Sequence, residues 1–146
     1  MTGPALTDQP QPHAGPHEGA DMPLRLVRLK TRQEFLAVAG ARRKFTTPGL
    51  MLQAMARPDS DVALARVGFT ASRKVGNSVA RNRAKRRLRA LAAEVLAARG
   101  LGATDYVLVC RQETAVRPYD DLRRDLETAL ARLKLVRPPV AGKDAP

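Results

Sequence analysis

The stretch from Ser78 to Arg99 can form a regular helix only if that helix rests on something along one narrow line. At about 100° per residue, Ala80, Ala84, Leu88, Leu91, Val95 and Ala98 fall within an arc of roughly 80°. Arg81, Asn82, Arg83, Lys85, Arg86, Arg87 and Arg89 take the rest of the circumference. A stripe this thin implies packing against a sheet, with cations spread over every other face. Gly100 supplies the stop.

Stability alone would not place these charges here. Between Arg66 and Arg99 stand ten Lys/Arg and one acid, Glu94, so nine of the twelve net positive charges lie in this third of the chain. Pairs four apart, such as Arg81/Lys85 and Lys85/Arg89, repel where an ordinary exposed helix would alternate sign. The cluster also occupies the early turns, where the helix dipole is positive and each cation costs about 0.3–1 kcal/mol. Phosphates would reverse both penalties, and the excess of Arg over Lys suits bidentate phosphate recognition. The preceding Arg73-Lys74-Val75-Gly76-Asn77 adds two cations, and its Gly and Asn would let backbone N–H groups approach a phosphate. The expected partner is nucleic acid.

The remaining pattern gives that helix a frame. Thr31 followed by Glu34 has capping-box spacing and opens a short helix through Phe35, Leu36, Val38 and Ala39 to Gly40. Gly49–Ala56 and Leu64–Ser72 alternate as strands, close enough in sequence to form an antiparallel hairpin. Tyr106–Cys110 is a continuous apolar run, expected to be a strand buried on both faces. Pro118 with Asp120 and Asp121 marks the start of a last helix carrying Leu122, Leu126, Ala129, Leu130 and Leu133. Asp120, Asp121 and Asp125 are all read as belonging to that helix start. The expected architecture is a single α+β domain over residues 23–136. Residues 1–22, with four prolines and little apolar content, read as a disordered extension, and 137–146 as a flexible tail.

The chain offers little for covalent chemistry. Its two histidines, His13 and His17, lie in the extension with Pro16 between them, so neither a zinc site nor a histidine base is expected. No Gly-rich phosphate loop of Walker or dinucleotide type occurs. Cys110 stands alone, which excludes an intrachain disulfide and points to a reducing cytoplasm. No membrane span or signal peptide is evident. With five aromatics in all, base stacking would rest on few residues: Phe69 and Tyr106 sit in strand patterns and read as core, whereas Phe35 and Phe45 (in a basic loop, Arg42-Arg43-Lys44-Phe45) are open to exposure.

The run Arg66-Val-Gly-Phe-Thr-Ala-Ser-Arg-Lys-Val-Gly-Asn-Ser-Val-Ala-Arg-Asn-Arg-Ala-Lys-Arg-Arg-Leu-Arg89 resembles the signature of the bacterial ribonuclease P protein subunit. The resemblance extends over about residues 24–134, through Arg-Leu-Lys-Thr-Arg-Gln-Glu-Phe, Asp-Tyr-Val-Leu-Val and the final helix. It implies an α/β sandwich in αβββαβα order, with a four-stranded sheet, three helices and a left-handed parallel crossover, an exception to the usual hand. It implies a monomeric, non-catalytic protein that binds a catalytic RNA and precursor tRNA, with no membrane or small-molecule partner. The RNA would remove the 5′ leader using Mg²⁺ held by the holoenzyme, not by a dedicated protein site. By resemblance, RNA contacts would come from Arg81, Asn82, Arg83, Lys85, Arg86 and Arg89, and the charge pattern adds Arg73, Lys74 and Arg87 to them. Phe35, Phe45, Gln53 and Arg66 would line a leader cleft between the first helix and the sheet. Aromatics common in the family are replaced here by Ala39 and Gln53, which shifts leader contact from stacking toward hydrogen bonding and charge. The competing readings are a ribosomal or general RNA-chaperone protein and, disfavoured by the missing histidines and acidic cluster, a stand-alone nuclease.

Overall fold

The computed structural model describes residues 24–57 and 61–137. The expectations for the two terminal segments fall outside this range, apart from Arg137. Five strands and three main helices alternate in the order β1 (Arg25–Arg28), α1 (Arg32–Gly40), β2 (Arg43–Thr46), β3 (Leu50–Ala56), β4 (Leu64–Thr70), α2, β5 (Thr104–Cys110) and α3 (Tyr119–Arg132). Helix α2 starts at Ser78 and is α-helical to Leu91, widens into a π turn at Ala92–Leu96, and closes with Ala97–Arg99. Short 3₁₀ turns at Arg73–Val75 and Gln112–Ala115 precede α2 and α3.

The strands form one mixed sheet in the order β1-β4-β5-β3-β2. Strand β5 runs parallel to β4 and antiparallel to β3, so the expected β3–β4 hairpin does not form. The two strands do run in opposite directions, but the strand with the longest unbroken apolar run is inserted between them, burying both of its faces. The sheet has five strands rather than four. Strand β1 adds to β4 in parallel, and β2, expected as a basic loop, pairs with β3. Both are four-residue edge strands rich in Arg and Lys, a composition that blunts an exposed edge and hides the alternation by which a strand is recognised.

The two faces are unequal. Helices α2 and α3 cover one, and between them lie Leu50, Leu52, Val67, Leu88, Leu91, Tyr106, Leu108, Leu126 and Leu130, all buried. Tyr106 donates its hydroxyl to the Leu101 carbonyl at 2.6 Å, which satisfies the polar end of this fully buried ring. Helix α1 covers only part of the other face, over a small core of Leu29, Val38 and Val107 with Phe35, Met55 and Val109 against it. The π turn alters the stripe of α2: Ala84, Leu88, Leu91 and Val95 are buried as expected, but Ala92 and Leu96 join them and Ala98 is exposed. One wider turn carries the later residues round the helix axis. Beyond α3 the chain turns back, Val136 bridging to Gly100, and the Arg137 amide donates to the Arg99 carbonyl at 2.8 Å. Arg137, expected in the flexible tail, is therefore held.

Candidate nucleic-acid interface

The turn leading into α2 is fastened by its own side chains. Ser72 Oγ accepts from the Lys74 amide, and Asn77 Oδ1 caps α2 by accepting from the Ala80 amide at 2.9 Å. Gly76 has φ +140°, a conformation open to glycine, and its carbonyl accepts from Arg81 Nη1 at 3.0 Å. Asn77 is thus spent on the helix start, and Arg81 is partly committed to the turn, with Arg73 and Lys74 left exposed.

Arg73, Lys74, Asn82, Arg83, Arg86 and Arg89 are exposed, and Lys85 is half-buried. Among the described residues, no carboxylate forms an ion pair with any of these cations. Six of the nine described acids are paired elsewhere: Glu94 and Asp120 with Arg123, Asp121 with Arg124, Asp125 with Arg117, and Glu34 and Asp105 with Arg66; Asp61, Glu113 and Glu127 pair with none of the cations on or before α2. The result is a surface of like charge with no carboxylate ion-paired to it among the described residues.

Arg87 behaves differently from its neighbours. Its guanidinium donates to the carbonyls of Thr114 at 2.7 Å and Arg117 at 2.6 Å, pinning the segment before α3 to α2. Loss of solvent, then the nearby Arg83 charge, lowers its pKa. Helical spacing put Arg87 outside the apolar stripe, but the flank it occupies faces α3 rather than open solvent.

The face beneath α1 carries three of the four residues expected to line a cleft. Phe35 lies over Gly68, where a Cβ would come within 2.4 Å of its ring. Gln53 is half-buried, beside Lys44 on β2 and Val107 on β5. Arg66 is on this face but already occupied: it grips Asp105 through two hydrogen bonds of 2.9 and 2.7 Å and reaches Glu34 Oε2 at 2.6 Å. The bond to Asp105, more than any other cause, raises the Arg66 pKa. Phe45 is on the opposite face. It is the cross-strand partner of Leu52, packs on the main core, and lies under Arg132 of α3 at 5.7 Å. Its placement in the cleft is corrected by strand β2, whose pleat fixes the side on which each residue points.

Past α1 the same face opens into a cleft of about 820 Å³, with Met51 and Val109 on its floor and Lys74, Arg111 and Arg117 on its walls. Lys74 joins this cleft to the start of α2. Two features here were not anticipated. Asp105 is 1% exposed, its charge met by Arg66 and, at 3.5 Å, Arg57. Asp125, read as part of a helix start, is buried, accepting from the Gly49 amide at 3.1 Å and pairing with Arg117 at 2.7 Å. An Asp at the head of an apolar strand and one in phase with Leu122 and Ala129 were the available signals, since a buried carboxylate requires a partner.

The family model for Ribonuclease P matches residues 24–134, which holds every described strand and helix. The chain belongs to the ribonuclease P protein family. The ribonuclease P protein component of Paramagnetospirillum magneticum is 52% identical over 114 residues, covering 77% of this chain and 86% of the relative. That of Ruegeria pomeroyi is 49% identical over 111 residues, covering 75% and 88%. Among solved structures, the Staphylococcus aureus RNase P protein superposes with a TM-score of 0.62 at 24% identity, covering 74% of this chain and 95% of that one. The Thermotoga maritima RNase P protein gives 0.60 at 23%, covering 72% and 96%, and at such identities these likenesses bear on the fold alone. As a ribonuclease P protein, the chain is a subunit of an endoribonuclease with a role in processing precursor-tRNA 5′ leaders, and the RNase P RNA is its partner.

Proposed function

We propose that the exposed face of α2 docks on the catalytic RNA of ribonuclease P while the α1 face receives the 5′ leader of precursor tRNA. The observation that carries this reading is the set of cations on and before α2 that have no carboxylate partner among the described residues. Arg73, Lys74, Arg81, Arg83, Lys85, Arg86 and Arg89 neutralise RNA phosphates, releasing condensed counterions, and Asn82 donates a hydrogen bond among them. Arg87 supports this surface from behind. Phe35 and Gln53 meet the leader, Phe35 by stacking and Gln53 by hydrogen bonding, and Lys74 stands where leader and catalytic RNA converge.

Hydrolysis is the work of the RNA. The described residues hold no group of three or more His, Cys, Asp or Glu side chains placed for a metal, and the two buried aspartates are satisfied by arginine. The described side chains thus do not suit a Mg²⁺ site, and we assign the Mg²⁺ of the reaction to the RNA–protein holoenzyme. The protein screens repulsion between two polyanions and positions the leader, as one copy per docking surface in the cytoplasm. No helix among the described residues is long and apolar enough to cross a membrane.

The test is cleavage of precursor tRNA by the catalytic RNA at low Mg²⁺, with and without the protein. Rescue by the protein, which alone cuts nothing, is expected. A protein that neither cuts nor rescues would instead fit a general RNA chaperone, and one that cuts unaided would be a nuclease in its own right.

A further inference from the structure

Helix α1 is weakly seated for an element that walls a binding cleft. Val38 is its only buried residue and Leu36 is 55% exposed, so apolar burial contributes little to fixing it on the sheet. Two polar devices compensate, and they meet in one carboxylate. Oε1 of Glu34 accepts from the Lys30 and Thr31 amides at 2.6 and 3.0 Å and completes the capping box that starts the helix. Oε2 of the same side chain takes the Arg66 guanidinium at 2.6 Å. Arg66 is in turn immobilised by its two bonds to Asp105, which is buried in the central strand. The helix start is therefore tied through Glu34 and Arg66 to the central and most fully buried strand of the sheet. Phe35, the next residue, is thereby set over Gly68, where the missing side chain leaves room for its ring.

Resting on the leader-cleft reading, we propose that Glu34 is a positioning residue for the leader cleft and that Arg66 is its anchor rather than a leader contact. The Arg66 guanidinium donates twice to Asp105 and once to Glu34, and its side chain is 23% exposed. Three of its five N–H donors are thus taken and two carboxylates already meet its charge, so Arg66 attracts a phosphate far less than the unpaired cations of α2 do. What Glu34 controls is the orientation of α1 and the distance of Phe35 from the sheet, and small errors in such placement are costly to binding and reaction.

The discriminating variant is Glu34→Gln in the reconstituted holoenzyme. The amide oxygen can still accept from the Lys30 and Thr31 amides, so the helix start is kept. Its NH₂ would face the guanidinium donor to donor, so the tie to the sheet is lost while the Arg66–Asp105 pair survives. Binding of precursor tRNA is compared with binding of the same tRNA without a leader. Glu34→Gln is expected to weaken leader-bearing tRNA about fivefold to tenfold, leave leaderless tRNA and the affinity for catalytic RNA unchanged, and leave the salt slope unaltered. In a Phe35→Ala background the same substitution should have little further effect, because both act through the position of one ring. Equal weakening of both tRNAs, full additivity with Phe35→Ala, or a shallower salt slope would each overturn the positioning role. A wild-type holoenzyme that does not distinguish leader-bearing from leaderless tRNA would instead remove the cleft reading on which this role depends.

Discussion

At the scale of single residues, neighbours on one helix divide their labour according to the flank they occupy. Arg83 is exposed without a carboxylate partner, whereas Arg87 holds two carbonyls. Arg83→Ala, alone or with Arg81→Ala, should lower affinity for the catalytic RNA and make its salt slope shallower by about one to two units. Arg87→Ala should leave that slope nearly unchanged but cost about 1–3 kcal/mol of stability, read from denaturant unfolding, because two half-buried carbonyls lose a charged donor. Cys110 is a second case. Burial raises its thiol from 9.0 to about 11, so the protonated form is favoured in the folded chain. Its contribution to stability is full below about pH 9 and falls away as the pH rises through about 11. At pH 8 the thiolate fraction is about a thousandth, and alkylation of the folded protein should be at least ~100-fold slower than in urea, as mass spectrometry of the iodoacetamide adduct would report.

At the scale of elements, what the local pattern showed depended on how each element is buried. Helix α2 was legible because its stripe and its charges are both local, although the π turn could not be foreseen and moved Ala92 and Leu96 into the core in place of Ala98. Leu96→Ala should therefore cost about 2–5 kcal/mol, as Leu88→Ala should, while Ala98 should accept a polar residue within about half a kcal/mol; thermal melts of the three would check this. Strands β1 and β2 were missed because a cationic edge strand carries no alternation, and Phe45 was misplaced with β2. Gly68→Ala belongs to this scale too. The new methyl group would meet the Phe35 ring at 2.4 Å, so α1 must shift, with a loss of about 1–3 kcal/mol and weaker leader binding while affinity for catalytic RNA persists.

Across the whole molecule, one sheet separates two tasks. The face under α2 and α3 holds nearly all of the core, and the face under α1 is left partly open. Stability can then be concentrated on one side and a cleft kept on the other. The net charge of +12 opposes this compact state by self-repulsion. Added salt should raise the melting temperature of the free protein by several degrees and lower its affinity for RNA at the same time. Calorimetry and binding titrations over one salt series would show the two trends running in opposite directions.

The cationic cluster, its helix and its polyanionic partner were determined by the sequence, because charge, helical period and composition are local quantities that need no neighbours to be read. The tertiary structure alone decided which of those cations remain available. Arg87 and Arg66 look like binding residues in the chain, but pairing partners 27 to 39 positions away take their hydrogen bonds. Pairing of β5 between β3 and β4 is likewise a long-range choice, settled by where the strand with the longest unbroken apolar run can bury both its faces. From that insertion follow the seat of α1, the buried Asp105 and the cleft beside them.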